Sequence, residues 1–248
     1  MKTARRLSLM ALVAPLALGL AACSESADGP ITGEAMDPIA APEGGSWLDV
    51  VEVTEEDGFL LGNPDAPLRL VEYASYTCGA CANFAQNGAE PLKEQYVSTG
   101  LVSFELRNLD RNGVDTAISA LARCTAPEAF HPLSDQVWGN FDTVMQSAQT
   151  ANLENVGALP DNQRWVAVAT EMGLLDFFAQ RGISRDQAAA CLADSEAVES
   201  RSEATNARAN ELGANSTPTF ILNDRVLEER SWPDLEGVLQ AAGARPAG

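Results

Sequence analysis

Histidine is nearly missing from this sequence: 248 residues contain one, His131. Zinc sites draw heavily on imidazole and need about four ligands, so a zinc protein is not expected. Ser-His-Asp hydrolysis is hard to support on the same ground, because the single His131 has no convincing partners. His131 reads as a packing residue near a helix start. Cations are also few, with 16 Lys and Arg against 35 Asp and Glu. A formal net charge of −19 argues against nucleic acid and against a basic patch for anionic lipid. It favours solubility and weak attraction to basic clients. No internal repeat and no second Cys-x-x-Cys are present.

Much of the scarce positive charge sits at the N-terminus. Lys2, Arg5 and Arg6 precede an uncharged apolar run, Leu7 to Leu20, and then Leu20-Ala21-Ala22-Cys23. A basic start, a short apolar stretch and small residues describe an export signal. The run is short for a membrane-spanning helix, which needs about 20 apolar residues. Small residues before a cysteine resemble the lipobox of bacterial lipoproteins. That resemblance implies cleavage after residue 22, lipidation of Cys23, and a membrane anchor on the periplasmic side of the cell envelope. Loss of the three cations takes the charge from −19 to −22 (−19 − 3 = −22).

Residues 23–46 read as a flexible acidic linker, with Pro30, Pro38 and Pro42, four glycines and no Lys or Arg. As a coil it would span roughly 25–30 Å. From Trp47 the pattern becomes globular. Leu48–Val53 suggests a short strand. Leu68–Ala74 reads as a mostly buried strand, Gly79–Gly88 as a helix that Pro91 restarts or kinks, and Leu101–Leu106 as a second strand. This is a parallel βαβ unit. Val114, Ala117, Ile118 and Leu121 have helical spacing, and helical patterns continue over 128–147 and 161–181. Ser184 caps a short helix, and a longer one runs over 195–212 to Gly213. Thr219–Leu222 and Arg225–Glu229 suggest a hairpin across Asn223-Asp224, followed by a helix to Ala241.

The chemistry centres on Cys78-Gly79-Ala80-Cys81, between strand and helix. Unpaired N–H groups at a helix start stabilise an anion, so a thiol there is acidified. Cys78, nearer the helix end, should attack; Cys81, one turn in, should resolve the mixed disulfide. Glu72, six residues upstream in an apolar strand, is a candidate buried acid able to exchange a proton with Cys81; an outward-facing strand Glu is the alternative. Pro218, in Thr217-Pro218 before a strand, marks a turn or edge and suggests a cis bond. Five cysteines less Cys23 leave four, and exported proteins meet conditions in which disulfides persist.

Strand, Cys-x-x-Cys, helix, and a distant Thr-Pro before a hairpin and final helix resemble the thioredoxin fold. The helical stretch between the halves makes the chain similar to the DsbA-like branch of thiol–disulfide oxidoreductases. The resemblance implies an α/β, thioredoxin-like domain made of residues 47–112 and 196–242, with an all-helical insertion at 113–195. It implies a redox pair of Cys78 and Cys81, with Pro218 packed on it, Thr217 at a peptide-docking edge and Glu72 as the buried acid. It also implies cysteine-containing exported clients, an envelope partner that recycles the pair, and no cofactor. Some DsbA-like proteins brace the insertion with a second disulfide, which here would join Cys124 and Cys191; two buried free thiols are the alternative. The strong oxidases carry Pro-His where this chain has Gly79-Ala80. A potential between about −120 and about −270 mV is therefore expected, with the direction of electron flow open. A different class of function, Cu(I) binding by the same Cys-x-x-Cys, lacks nearby His or Met ligands.

Overall fold

Why the redox loop sits where it does follows from one central strand. The computed structural model describes residues 29–247; the expected leader and Cys23 lie outside them. The chain forms β1 (Val51–Val53), β2 (Phe59–Leu61), β3 (Leu68–Ala74), α1 (Gly79–Asn87), α2 (Ala89–Gln95) and β4 (Val102–Asn108). Seven helices follow: α3 (Gly113–Ala122), α4 (Phe130–Gly139), α5 (Phe141–Thr150), α6 (Asp161–Glu171), α7 (Leu174–Ala179), α8 (Arg185–Ala193) and α9 (Ser195–Glu211). The chain ends in β5 (Thr219–Leu222), β6 (Arg225–Val226) and α10 (Trp232–Ala241).

The sheet order is β1-β2-β4-β3-β5-β6. β3 pairs with β4 in parallel, from Leu68↔Val102 to Ala74↔Asn108, and α1 and α2 form the crossover. β5 runs antiparallel to β3 and sets Thr219 opposite Tyr73 and Phe220 opposite Glu72. The mixed sheet is thus a βαβ unit joined to a ββα unit, with helices inserted between, which is the expected thioredoxin-type α/β fold. Flanked on both sides, β3 is buried except at Arg69, so its apolar residues form a run rather than an alternation. Leu68, Leu70 and Ala74 enter one cluster with Phe84, Leu92, Ile118, Leu121, Phe130 and Phe220. Val71 and Tyr73 pack on the other face with Ala209 and Ile221. Each fully buried large apolar side chain stabilises by about 1.5–3 kcal/mol, so sheet and insertion share one main core.

Several expectations need correction. Leu48 and Asp49 are not strand but part of a helical turn over Trp47–Asp49. The Ser46 hydroxyl accepts from Leu48 N–H, and the Asp49 carboxylate accepts from Ser46 N–H, both at 3.1 Å. This reciprocal cap outweighs the strand preference of a three-residue remainder. β2 was not expected at all. It is three residues long and draws its stability from pairing with β1 and β4 on either side.

The outer part of the expected linker is docked rather than free. Gly33 N–H donates to Ala241 O at 2.8 Å, Met36 N–H to Gly243 O at 3.0 Å and Ile39 N–H to Thr99 O at 2.8 Å. Side chains of Ile31 and Met36 rest on the main core. Glycine makes the approach possible: a Cβ on Gly33 would overlap the Ala242 carbonyl. The helical stretch at 128–147 is divided at Asn140, whose side-chain amide donates to Gln136 O at 2.8 Å and closes α4. The stretch at 161–181 is divided at Gly173, with φ of 69°. The hairpin turn Asn223-Asp224 has φ of 47° and 69°, the left-handed pair of a tight two-residue turn. Its second strand ends at Val226, shorter than expected.

Candidate active site

The sequence from Ala74 to Cys81 is a strand end, a three-residue loop and a helix start. Cys78 is the N-cap of α1, with extended backbone (φ −98°, ψ 117°) and no side-chain cap bond. Its sulfur therefore faces the unpaired N–H groups of the first turn. Cys81 lies one turn into the helix. Cys78 is 7% exposed and Cys81 1%, so only the first can meet a partner. Both are free thiols.

β5 brings the distant segment to this point. Its pairing with β3 delivers Thr217-Pro218 beside Cys78, and the Thr217-Pro218 bond is cis. The Cys78 thiol donates to the Thr217 carbonyl at 3.2 Å. Phe84 of α1 meets Phe220 of β5 edge-on, ring centroids 4.7 Å apart, which fixes helix against strand. The Thr217 hydroxyl is buried without a hydrogen-bond partner among the described residues. It is free to donate to the sulfur once Cys78 loses its proton.

The two sulfurs are polarised in opposite directions. Hydrogen bonding from the Cys81 thiol, opposed by burial and aided by Thr217 and the N–H groups of Cys81 and Ala80, brings Cys78 down to about 5 from 9.0. Burial pushes the Cys81 thiol far up, and its bond to Cys78 and the Glu72 carboxylate add to the rise. Cys78 is thus a thiolate at neutral pH while Cys81 keeps its proton.

Glu72 is 2% exposed. On β3 it stands two residues from Leu70 and from Ala74, so it points to the same face as they do, the one that carries α1 and both cysteines. Burial raises its pKa to about 8, with Lys93 opposing and Asp135 and Cys78 adding to the rise. A carboxyl that titrates near neutrality beside a high-pKa thiol is suited to take or return that thiol's proton. Lys93 is itself bridged to Asp135 at 2.5 Å.

The structure therefore gathers Cys78, Cys81, Glu72, Thr217 and Pro218 at one end of β3 and β5. Cys124 and Cys191 are elsewhere, joined by a disulfide in the insertion with Cα atoms 6.1 Å apart. His131 is buried at the start of α4, with Nε2 3.0 Å from Phe59 O. Burial, with help from Lys93, lowers its pKa to about 3. Among the described residues no cluster of three or more His, Cys, Asp or Glu could hold a metal ion.

Sequence reasoning missed Asp115 and Trp138. Asp115 is fully buried and accepts from Ser75 Oγ, from Thr77 N–H and Oγ1, and from Arg111 N–H, all at 2.9–3.0 Å. The Trp138 indole donates to Ser75 O at 3.2 Å. The available signal was an acid in the first turn of a helix, which ordinarily answers the helix dipole alone.

A nucleophile-ready thiol at a helix start, a protonated resolving thiol behind it and a cis-proline loop over both define a dithiol protein of thioredoxin type. The family model described as Thioredoxin (Thioredoxin_4) matches residues 54–241, and the chain belongs to that family. Among solved structures, the chain is similar to the protein-disulfide isomerase of Novosphingobium aromaticivorans, with 29% identity and a TM-score of 0.67. That match covers 73% of this chain and 95% of the other. Wolbachia pipientis alpha-DsbA1 shares the fold at 20–21% identity and a TM-score of 0.58–0.59, over 77% of this chain and 94% of the other. A relative from Rickettsia bellii that carries a protein-disulfide oxidoreductase name is 23% identical over 76% of this chain, which spans 65% of that relative's length. Disulfide bond formation protein D of Bacillus subtilis is 24% identical over 68% of this chain and 69% of its own.

Proposed function

We propose that this chain is a protein thiol–disulfide oxidoreductase acting on cysteine-containing exported proteins through Cys78 and Cys81. The observation that carries the reading is the opposite polarisation of the two thiols under the Thr217-Pro218 loop. In the reducing direction the Cys78 thiolate attacks one sulfur of a client disulfide. A Cys78–client bond forms, the client S–S bond breaks, and one client thiolate leaves. Cys81 then gives its proton to the Glu72 carboxylate and attacks the Cys78 sulfur. The Cys78–Cys81 bond forms and the second client thiolate leaves, so two electrons pass from chain to client. In the oxidising direction the same steps run backwards. Which direction dominates depends on the envelope partner that recharges the pair.

In this reading the Thr217-Pro218 segment is the docking line for a client backbone, because an extended peptide laid along it would reach the Cys78 sulfur. Gly79-Ala80 puts no imidazole beside Cys78, which supports a potential between about −270 and about −120 mV. The leader pattern ending at Ala22 supports a periplasmic-side lipoprotein anchored through Cys23. No described helix is long and apolar enough to cross a membrane.

The deciding experiment is turnover of insulin disulfides by wild type, Cys78→Ser and Cys81→Ser. Wild-type turnover that both substitutions abolish is the expected result. Stoichiometric Cu(I) binding without turnover would overturn the reading. Mass spectrometry of the protein from membranes should show a diacylglyceryl-modified Cys23, and an unmodified mature Cys23 would overturn the anchor.

A further inference from the structure

The loop Ser75-Tyr76-Thr77 ends directly in Cys78, and each of its residues is bonded to a helix of the insertion. Ser75 donates through Oγ to Asp115 of α3 and accepts through its carbonyl from Trp138 of α4. The Tyr76 hydroxyl meets Ser134 Oγ of α4 at 2.8 Å, and its ring lies against Trp138 with centroids 4.8 Å apart. Thr77 donates to Asp115 through N–H and Oγ1, both at 2.9 Å. Asn112, the N-cap of α3, donates from its amide to Thr77 Oγ1 at 2.9 Å.

The bonds converge on one carboxylate. Asp115 Oδ1 takes Thr77 N–H while Oδ2 takes Arg111 N–H. Ser75 Oγ sits within 3.0 Å of both oxygens. No water can reach a fully buried carboxylate, so each donor depends on it. Burial raises the Asp115 pKa, and the bonds from Arg111, Ser75 and Thr77 oppose that rise, so the contacts that tie the loop also favour the carboxylate.

We propose that Asp115 is a positioning residue for Cys78: it locks the Ser75–Thr77 loop to the insertion and so holds the nucleophile against the start of α1. The proposal rests on the oxidoreductase reading and adds to it a job for the insertion. α3 acts as a buttress for the redox loop as well as a cover for the core. Cys78 is stabilised by donors from Cys81, Thr217 and the N–H groups of residues 80 and 81. They act only while the loop keeps the sulfur in place, since hydrogen bonds weaken steeply with misalignment.

Asp115→Asn is the sharpest test. Thr77 N–H and Arg111 N–H use opposite oxygens, and a carboxamide has one. Either orientation therefore leaves one fixed N–H facing an NH2 group. The readout is the pH titration of Cys78 thiolate absorbance in the reduced protein, with far-UV circular dichroism as the check on folding. Asp115→Asn should raise the Cys78 midpoint by about one pH unit, a tenfold change in the thiol–thiolate balance, with the helical signal kept. Thr77→Val removes the Oγ1 bonds to Asp115, Asn112 and Ser75 but keeps the Thr77 N–H bond to Asp115, and should move the midpoint the same way by less. Thr116→Val breaks the α3 contacts to Ser202 at 3.4 Å and to the Asn112 carbonyl at 3.3 Å and removes no bond to residues 75–77; it should leave the midpoint in place.

An acidic wild-type midpoint that neither Asp115→Asn nor Thr77→Val moves overturns the proposal and spares the oxidoreductase reading. An equal shift from Thr116→Val also overturns it, because general loosening of α3 would then suffice. A wild-type Cys78 that titrates like an ordinary thiol overturns both.

Discussion

The two cysteine pairs of this molecule sit at opposite electrical ends of their helices. Cys78 caps the start of α1, where free N–H groups and the positive end of the dipole favour a thiolate. Cys124 follows the last turn of α3, its N–H bonded back to Leu121 O, and Cys191 lies in the final turns of α8. There the negative helix end disfavours a thiolate. A thiolate is both attacker and leaving group in exchange, so the first pair is built to turn over and the second to stay bonded. The same element therefore serves two purposes, and placement along a helix decides which.

The largest effect that could break this contrast is kinetic. Cys78→Ser should reduce turnover to background, while the double substitution Cys124→Ser with Cys191→Ser should keep it within about twofold, because no reacting atom is removed. Stepwise reduction with a dithiol followed by alkylation should trap Cys78 first. If Cys124 and Cys191 are alkylated together with Cys78 at every step, the division into working and bracing pairs fails.

Next in size is stability. The Cys124–Cys191 bond closes a separation of 67 residues, worth about 4 kcal/mol by the loop-entropy relation. Chemical denaturation of the double serine variant should show a loss of that order. It should also leave the midpoint of Cys78 near 5, since the bond lies outside the redox loop.

Glu72 sharpens the comparison on the redox side. Its pKa is raised from 4.5 to about 8 in the folded chain. Below about 4.5 it is protonated in both states and has no effect on stability. Between about 4.5 and 8 the unfolded chain gains from ionisation that the folded chain refuses, so stability falls as pH rises. Glu72→Gln should therefore stabilise the reduced protein by about 4 kcal/mol at pH 8 and by almost nothing at pH 4. It should also slow release of client from the mixed disulfide, because Cys81 loses its proton acceptor. Gain of stability with loss of rate marks a group kept for chemistry. Cys78 has the opposite sign: its depressed pKa adds stability as pH rises from about 5 towards 9, and loses it as pH falls through about 5.

Much of this layout was legible because its signals are local. β3 is a seven-residue, mostly apolar segment, the Cys-x-x-Cys follows its end, and Asn223-Asp224 punctuates the hairpin. What escaped was held by partners distant in sequence. β2 is three residues between two glycines, too short for any period, and owes its existence to β4. The docking of Gly33, Met36 and Ile39 is made by backbone bonds, which leave little trace in side-chain pattern. Asp115 looked like an ordinary first-turn acid, and its burial depends on a loop 38 residues upstream. The chemistry was thus readable from its own residues. The supports that aim it were not, because each is a contact between segments whose meeting the fold alone arranges.

The smallest expected effect tests the bracing side from within. α8, which carries Cys191, begins at Ser184, whose hydroxyl accepts from Gln187 N–H at 3.2 Å. Gln187 in turn donates from its amide to Cys124 O at 2.6 Å. Cap, helix and disulfide therefore form one unit. Loss of such a cap costs about 1 kcal/mol, so Ser184→Ala should lower stability by that amount when the disulfide is intact. With Cys124 and Cys191 both replaced by serine, α8 loses its covalent tie and leans more on its cap. The two changes should then be non-additive, with the cap worth more in the serine background. Turnover should be unaltered in every combination. Strict additivity in a denaturation cycle would mean that cap and disulfide brace the insertion separately, and a change in turnover would show that the bracing pair reaches the redox loop after all.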